Sequence, residues 1–449
     1  MKKQHLLSTG VALVCAGLSS QVNAAGFSLI EFSGSGMGNA FAGGSAIAED
    51  ATTVQFNPAG MTRLEGRQLV AVLHYISPKA EFHDNGSTDA FGTPLSGGEG
   101  DGGRDAYVPN FYLVIPIDDK MRFGLGINTP FGLETDYNDD WMGRYHAVRS
   151  DVKTININPS ISYQVDDKLS LGAGISAQYV DVTLSSAIDF GAICVASFGP
   201  GTCTTLGVAP QQNDGFAELT GDTWSFGWNV GLLYNIDDAT RIGAAYRSQV
   251  SHDVTGNANF TVPGSVSSFI AASGAFVDTG LGAKITLPDS LSLSVVHAYN
   301  NDVEVMADVT WTGWSSFKEL RVKYDNVNQP DSVTTEEWKD NMRYSIGASY
   351  RMDEKLKLRG GLAYDQTPIP SAERRTPRVP GDNRIWVSLG AQYKLDQQLT
   401  LDVGYSHLFV TDTNIDNTYE SSIPTLAATI KGDYNASVDI LSAQLSWSF

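Results

Sequence analysis

Asp166-Asp-Lys-Leu169-Ser-Leu171-Gly-Ala173-Gly-Ile175-Ser-Ala177-Gln-Tyr179 puts an apolar residue at every odd position from Leu169 on, with Ser, Gly or Gln between. Period two over this length means an extended strand with one apolar face and one polar or small face. Upstream, Ile155, Ile157, Pro159, Ile161 and Tyr163 alternate in the same way. Asp166 therefore sits in a tight hairpin turn between two strands.

The turn recurs. Tyr-x-x-Asp occurs at Tyr163–Asp166, Tyr234–Asp237, Tyr299–Asp302, Tyr350–Asp353 and Tyr393–Asp396, and Ile115–Asp118 has the same shape with Ile for Tyr. Alternation follows each site: Asp396 leads to Leu399, Leu401, Val403 and Tyr405. Each Tyr falls just before its turn on the apolar face, where an interfacial aromatic belt belongs. Tyr137–Asp140 also matches, but no alternation follows it, so it reads as loop. Pro288-Asp289 is too close to Asp302 for two spanning strands between them and reads as a bulge within one strand.

Six tight turns predict 14 strands, an even number that fits a bacterial outer-membrane barrel with short periplasmic turns and long external loops. The chain ends Leu441, Ala443, Leu445, Trp447, Phe449 on alternate positions. A terminal aromatic on a final amphipathic strand resembles the signal read by barrel assembly machinery.

Composition agrees. Charged residues are 18% of the 449, against roughly 25% in soluble proteins. No apolar run reaches the ~18 residues of a membrane helix. A formal charge of −20 speaks against a nucleic-acid partner, since phosphate binding needs a basic surface. Lys2, Lys3, the apolar stretch Leu6–Leu18 and Val22-Asn23-Ala24 predict a signal peptide over residues 1–24. Val14 before Cys15 does not fit a lipid attachment site. After export Cys194 and Cys203 remain, flanking a Gly/Ala/Ser-rich segment in an oxidising compartment, and a local disulfide is expected.

Residues 25–67 lack clean alternation and are rich in Gly, Ala and Ser; residues 68–449 form the barrel, from a first strand candidate at Gln68–Ile76. A large barrel leaves a lumen that such a segment fills as a plug. Phe32, Phe41, Ile47, Val54 and Phe56 give it apolar anchors. In the third strand, Met121, Phe123, Leu125 and Ile127 face outward, then Asn128-Thr-Pro130-Phe131-Gly132 follows. Pro130 and Gly132 either interrupt pairing in mid-wall or mark the strand's end.

The start AGFSLIEFSGSGMGNAFAG from Ala25, the motif Asn57-Pro58-Ala59, Trp224-Ser-Phe-Gly-Trp-Asn229, Tyr246-Arg247-Ser248 and PIPSAERRTPRVPGDNRIW from Pro368 to Trp386 resemble the FadL family of outer-membrane transporters for long-chain fatty acids. The resemblance spans nearly the whole mature chain. It implies an all-β fold, a 14-stranded antiparallel transmembrane barrel occluded by an N-terminal hatch carrying Asn57, Pro58 and Ala59. It also implies capture on extracellular loops and sideways release where the third strand kinks, at Asn128, Pro130, Phe131 and Gly132. The family includes carriers of aromatic hydrocarbons.

Two external loops are unusually apolar: Ala187–Pro210, with Ile188, Phe190, Ile193, Val195 and Phe198, and the stretch with Val266, Phe269, Ile270, Phe276 and Val277. They read as a landing surface or as loops packed on each other. Arg247, Arg343, Arg359 and Arg384 fall on the inward parity. An arginine there holds either a ligand carboxylate or a neighbouring acid such as Glu304, Asp308 or Asp365; Arg247, Arg343 and Arg384 are the carboxylate candidates. No H-E-x-x-H, Gly-x-Ser-x-Gly or P-loop occurs. The expectation is a monomeric, multi-pass, passive carrier in the outer membrane of a Gram-negative bacterium. It works without cofactor or metal, among outer-membrane lipid, on long-chain fatty acid or another hydrophobic small molecule. A general porin or an outer-membrane lipase is the weaker reading.

Overall fold

The computed structural model describes residues 26–411 and 413–449; the expected signal peptide, residues 1–24, lies outside the described residues. The chain forms one antiparallel sheet of 20 ladder segments. Six pairs of segments continue one another across short breaks, which leaves 14 strands. The sheet closes on itself: the first strand, Gln68–Asp84, pairs with the last, Thr429–Ser448, from Gln68 opposite Ser448 to Asp84 opposite Gly432. Closure leaves no unpaired edge to face lipid. The first strand runs eight residues past Ile76, and it pairs with the last strand over that whole extension.

The alternation sorts faces as expected for a membrane wall. Phe226 is 78% exposed and Ile175 67%, both pointing outward from mid-strand, while Gln178 and Asn229 are buried on the inner face. Five turns are built alike. Oδ1 of Asp118, Asp166, Asp237, Asp353 and Asp396 accepts the backbone N–H groups two and three residues on. The sixth corrects the repeat. There Asn300, not Asp302, accepts from the N–H of Asp302 and Val303. The turn is thus shifted by two residues, and Tyr299 stands where the others have Val165 or Ile236. Either residue type caps such a turn, because Asn and Asp both bond backbone two residues on.

Pro288-Asp289 lies within one strand, the eighth, and breaks it into Thr279–Leu287 and Ser290–Ala298. The upper part pairs with Val250–Thr261 and Glu319–Tyr324 and the lower with Thr240–Arg247 and Val303–Thr312, the upper and lower parts of the same two neighbouring strands. The wall is split across four adjacent strands at this height, and Trp314, Phe317, Trp338, Phe27 and Phe131 fill the inside of the split.

Residues 26–67 form short helical turns with mostly buried residues. They contact strands around the circumference, from the third, fourth, fifth and sixth to the thirteenth and last. The segment therefore lies within the barrel.

Candidate functional site

Asn57 is fully buried. Its Nδ2 donates to Ser45 O at 2.7 Å and to Leu232 O at 2.9 Å, and its Oδ1 accepts from Ala59 N–H at 3.0 Å. It thereby caps the turn Pro58–Arg63, with proline at the first position, where the missing N–H costs nothing. Glycines in the wall admit it: a Cβ on Gly231 would lie 1.9 Å from Asn57 Oδ1, and one on Gly172 2.4 Å from Ala59 N. The motif is pinned to the fifth and sixth strands.

The third strand behaves differently. Met121–Asn128 pairs with the second strand, Ala106–Pro116, only from Pro116 opposite Arg122 to Phe111 opposite Ile127. It resumes as Gly132–Asp136 in a ladder with the fourth strand, Arg149–Gln164, while on its other side only Gly103, ahead of the second strand, bridges Thr135. Between Asn128 opposite Asn156 and Gly132 opposite Lys153, four residue steps face three. The extra residue is a bulge, and it turns Leu133 and Thr135 inward where Phe123 and Ile127 faced out. Ala106–Asn110 consequently has the first strand on one side and no ladder on the other.

The freed backbone groups find partners inside. Leu29 N–H donates to Pro130 O at 2.9 Å and Gly132 N–H to Phe27 O at 3.0 Å, with Ser28 bridged to Phe131. Thr154 Oγ1 serves both Phe131 N–H, at 3.0 Å, and Phe131 O, at 2.7 Å. Asn128 Nδ2 reaches Gln55 Oε1 at 2.9 Å. The start of the inner segment thus acts as a short strand across the interruption.

A cavity of about 640 Å³ runs through this place. Tyr107, Pro109, Lys153 and Ile155 lie at its outer side, and Leu29, Arg384 and Ile440 farther in. Ser28, Leu29, Glu31 and Arg384 also border a second, central cavity of about 150 Å³. Arg247, Arg343 and Arg384 all line that central cavity, beside Phe41, Phe56 and Trp386. None of the three has a carboxylate within ion-pair distance among the described residues. Arg247 donates to Gln55 and Ser176, and Arg384 to Gly26 O at 3.1 Å. Arg343 donates to Ala40 O at 2.7 Å and lies over Trp386, 5.2 Å from the ring centre; its Nε and Nη1 are buried without a partner. Burial pushes the Glu31 carboxyl up, against backbone hydrogen bonds and the pull of Arg384 and Arg343.

Arg359 takes the opposite course. It is paired with Glu49 at 2.6 Å and with Asp402 of the thirteenth strand, and Lys357 adds a second contact to Glu49 at 2.7 Å. Burial alone would raise the Glu49 carboxyl, but Arg359 and Lys357 hold it well below the usual range. Glu31, Glu49, Gln55 and Thr154 belong to the site although no local pattern marks them.

Outside, Cys194 and Cys203 join the helix Phe190–Phe198 to the turn Pro200–Thr205, with Cα atoms 6.0 Å apart. The two apolar loops pack on each other: Phe190 meets Phe276 at 5.1 Å and Phe198 meets Phe269 at 5.3 Å. Phe198, Leu206 and Val277 stay about half exposed. Below them a cavity of about 140 Å³ reaches toward the lumen between Leu219, Phe260, Leu320 and Arg378.

The family described as outer membrane protein transport protein (OMPP1/FadL/TodX) matches residues 15–449. Outer membrane protein P1 of Haemophilus influenzae is 33% identical over 432 residues, covering 91% of this chain and 90% of that protein. The long-chain fatty acid transport protein of an Escherichia coli O6:H1 strain is 31% identical over 423 residues, covering 91% and 92%. The crystal structure of a Pseudomonas aeruginosa FadL homologue superposes with a TM-score of 0.86 at 25% identity, covering 95% of this chain and all of that one. The Pseudomonas putida toluene transporter TodX shares the fold, with a TM-score of 0.70 at 19% identity, covering 96% and 100%. The chain therefore belongs to the OMPP1/FadL/TodX family and is a multi-pass outer-membrane β-barrel of a family of transport proteins, not of enzymes.

Proposed function

We propose that this protein carries long-chain fatty acids passively across the outer leaflet region, from external loops to a sideways exit at the third strand. The observation that carries this reading is the cavity at the bulged strand, which shares Ser28, Leu29, Glu31 and Arg384 with an arginine-lined chamber. The apolar walls suit an acyl chain. Arg247, Arg343 and Arg384 suit its carboxylate through charge-assisted bonds. Arg343, buried with two unpaired nitrogens, favours a carboxylate over an uncharged aromatic hydrocarbon, which would leave them unsatisfied. The Escherichia coli relative that aligns with this chain over most of its length is a long-chain fatty acid transport protein.

Release requires the inner segment to act as a hatch. The pairs Leu29–Pro130 and Phe27–Gly132 close the interruption from inside, and Arg384 holds Gly26 O. A ligand carboxylate that takes Arg384 frees Gly26, and the start of the hatch can then leave the third strand. The far end stays latched through Glu49, Arg359 and Asn57. The chain works in this reading as a monomer, placed in outer-membrane lipid by assembly machinery that reads the strand ending at Phe449. Sideways release is favoured energetically: exposing an acyl chain to periplasmic water costs about 0.8 kcal/mol per methylene.

Mass spectrometry of molecules extracted from the purified protein tests the cargo. Long-chain fatty acids are expected. Aromatic hydrocarbons in their place, or large ion conductance in planar bilayers, would refute the reading.

A further inference from the structure

The stretch Pro368–Trp386 has so far lent only Arg384 and Trp386 to the central chamber. Its fold places it between two chambers. Thr376 and Arg378 line the outer cavity beneath the loops; Val379, Pro380, Gly381 and Arg384 line the cavity at the wall opening. The stretch is tied to the upper part of the third strand and the chain beyond it: Tyr137 Oη donates to Pro377 O at 3.0 Å and Thr135 Oγ1 to Arg378 O at 3.5 Å. Its other arginines are neutralised. Arg375 pairs with Asp382, and Arg374 with Glu337 and Glu420.

Arg378 is not. Its Nη1 donates to Arg149 O at 3.1 Å and Ser150 Oγ at 2.9 Å, and its Nη2 to Ser185 O at 3.3 Å. All three acceptors are neutral, and no carboxylate lies within ion-pair distance of it among the described residues. Beyond burial, Tyr419 and then Glu336 act on it most, and Glu336 is engaged by Trp338 Nε1 at 2.7 Å. Burial lowers the guanidinium pKa to about 10, so it stays cationic at neutral pH. Leu219, Phe260, Leu320 and Val322 form an apolar side of the same cavity; the carboxylates that also line it are engaged, Asp331 by Arg321, Glu420 by Arg374, and Asp89 and Asp189 by backbone N–H groups. A cation on one side and hydrocarbon on the other is the recognition pattern of an amphiphilic anion.

We propose that Pro368–Trp386 is a septum across the transport path, and that Arg378 on its outer side is a first carboxylate station that hands the head group to Arg384 on its inner side. The two arginines are six positions apart, so their backbones lie within roughly 20 Å of each other. The head group can pass between them while the acyl chain remains among apolar side chains. This inference rests on the reading of the cargo as a fatty acid.

Association of palmitate and of methyl palmitate with purified protein, followed by stopped flow, tests it. Loss of one charge-assisted contact predicts about a tenfold slower association of palmitate with Arg378→Gln and little change for the ester. Arg378→Lys, which keeps the charge and the fold if the Gln variant assembles poorly, should recover most of the rate. A photoreactive group at C2 of palmitate should label wild type near Arg378 at short times and near Arg384 later. Wild-type palmitate rates in both variants, or label only near Arg384 at every time, would overturn the station while leaving the cargo reading intact. Failure of wild type to bind palmitate at all would overturn both.

Discussion

Two prolines sit in adjacent strands and do opposite things. Pro159, in the fourth strand, lies opposite Leu125 in an unbroken register with the third strand. Its missing N–H is replaced toward the fifth strand by the Asn158 side chain, which donates to Ile175 O at 2.7 Å; Ile157 opposite Ala177 and Ser160 opposite Gly174 remain in step. Pro130, in the third strand, comes with one extra residue, and the register slips. Around it the second strand is lost as a partner, and Phe27, Leu29 and Thr154 supply the missing bonds. A proline alone does not interrupt the ladder. A proline with an unmatched residue does, and here an inner segment satisfies the freed backbone, because an unpaired group cannot face lipid.

The comparison can be broken first at Asn158. It also donates to Asn229 Oδ1 at 2.9 Å. Asn158→Leu leaves two buried acceptors without a donor, at about 1–3 kcal/mol each, so a loss of ~2–6 kcal/mol is expected. Urea unfolding of the barrel in lipid vesicles measures it, and an unchanged midpoint would mean that Pro159 needs no substitute donor.

The chain beyond the bulge offers a pH test. His146, in the connection after the third strand, is buried, and its Nε2 lies 3.1 Å from Asn417 O. Burial pulls its pKa from 6.5 down to about 4, against the Asn417 carbonyl. The folded loop therefore binds fewer protons than the unfolded chain between these values, and stability is lost as pH falls from 6.5 toward 4. The loss amounts to up to ~3 kcal/mol at low pH. His146→Gln should flatten this dependence, read from unfolding midpoints at pH 7 and pH 4.5.

The smallest effect is expected at Thr154. Thr154→Val removes both contacts to Phe131, at about 1–2 kcal/mol, and loosens the bulge without restoring its register. Uptake should persist while hydrogen exchange at Phe131 N–H accelerates. Slower exchange there would show that the hydroxyl does not hold the bulge.

The wall was readable because period two and the five Asp-capped turns among the six are local patterns. The Asn300 turn misled by two residues because Asn and Asp cap alike. Inward parity located all four arginines, but Arg359 is paired and Arg343 is not, and that depends on Glu49 and Asp402 arriving from distant parts of the chain. The bulge was visible as a proline and a glycine. Its closure by Phe27 and Leu29 was not, since residues a hundred positions apart meet there and neither carries a signal for it.

Transport through a closed third strand tests the central claim most directly. Deleting Pro130 restores one-to-one register opposite Asn156–Lys153, and Gly132→Thr adds a side chain suited to a strand. A crystal structure should confirm that the second and third strands then pair beyond Phe111. If release is sideways, this variant still binds palmitate when purified, and cells carrying it take up fatty acid at background level. Uptake at the wild-type rate through a wall shown to be closed would contradict sideways release and require an axial path past the hatch.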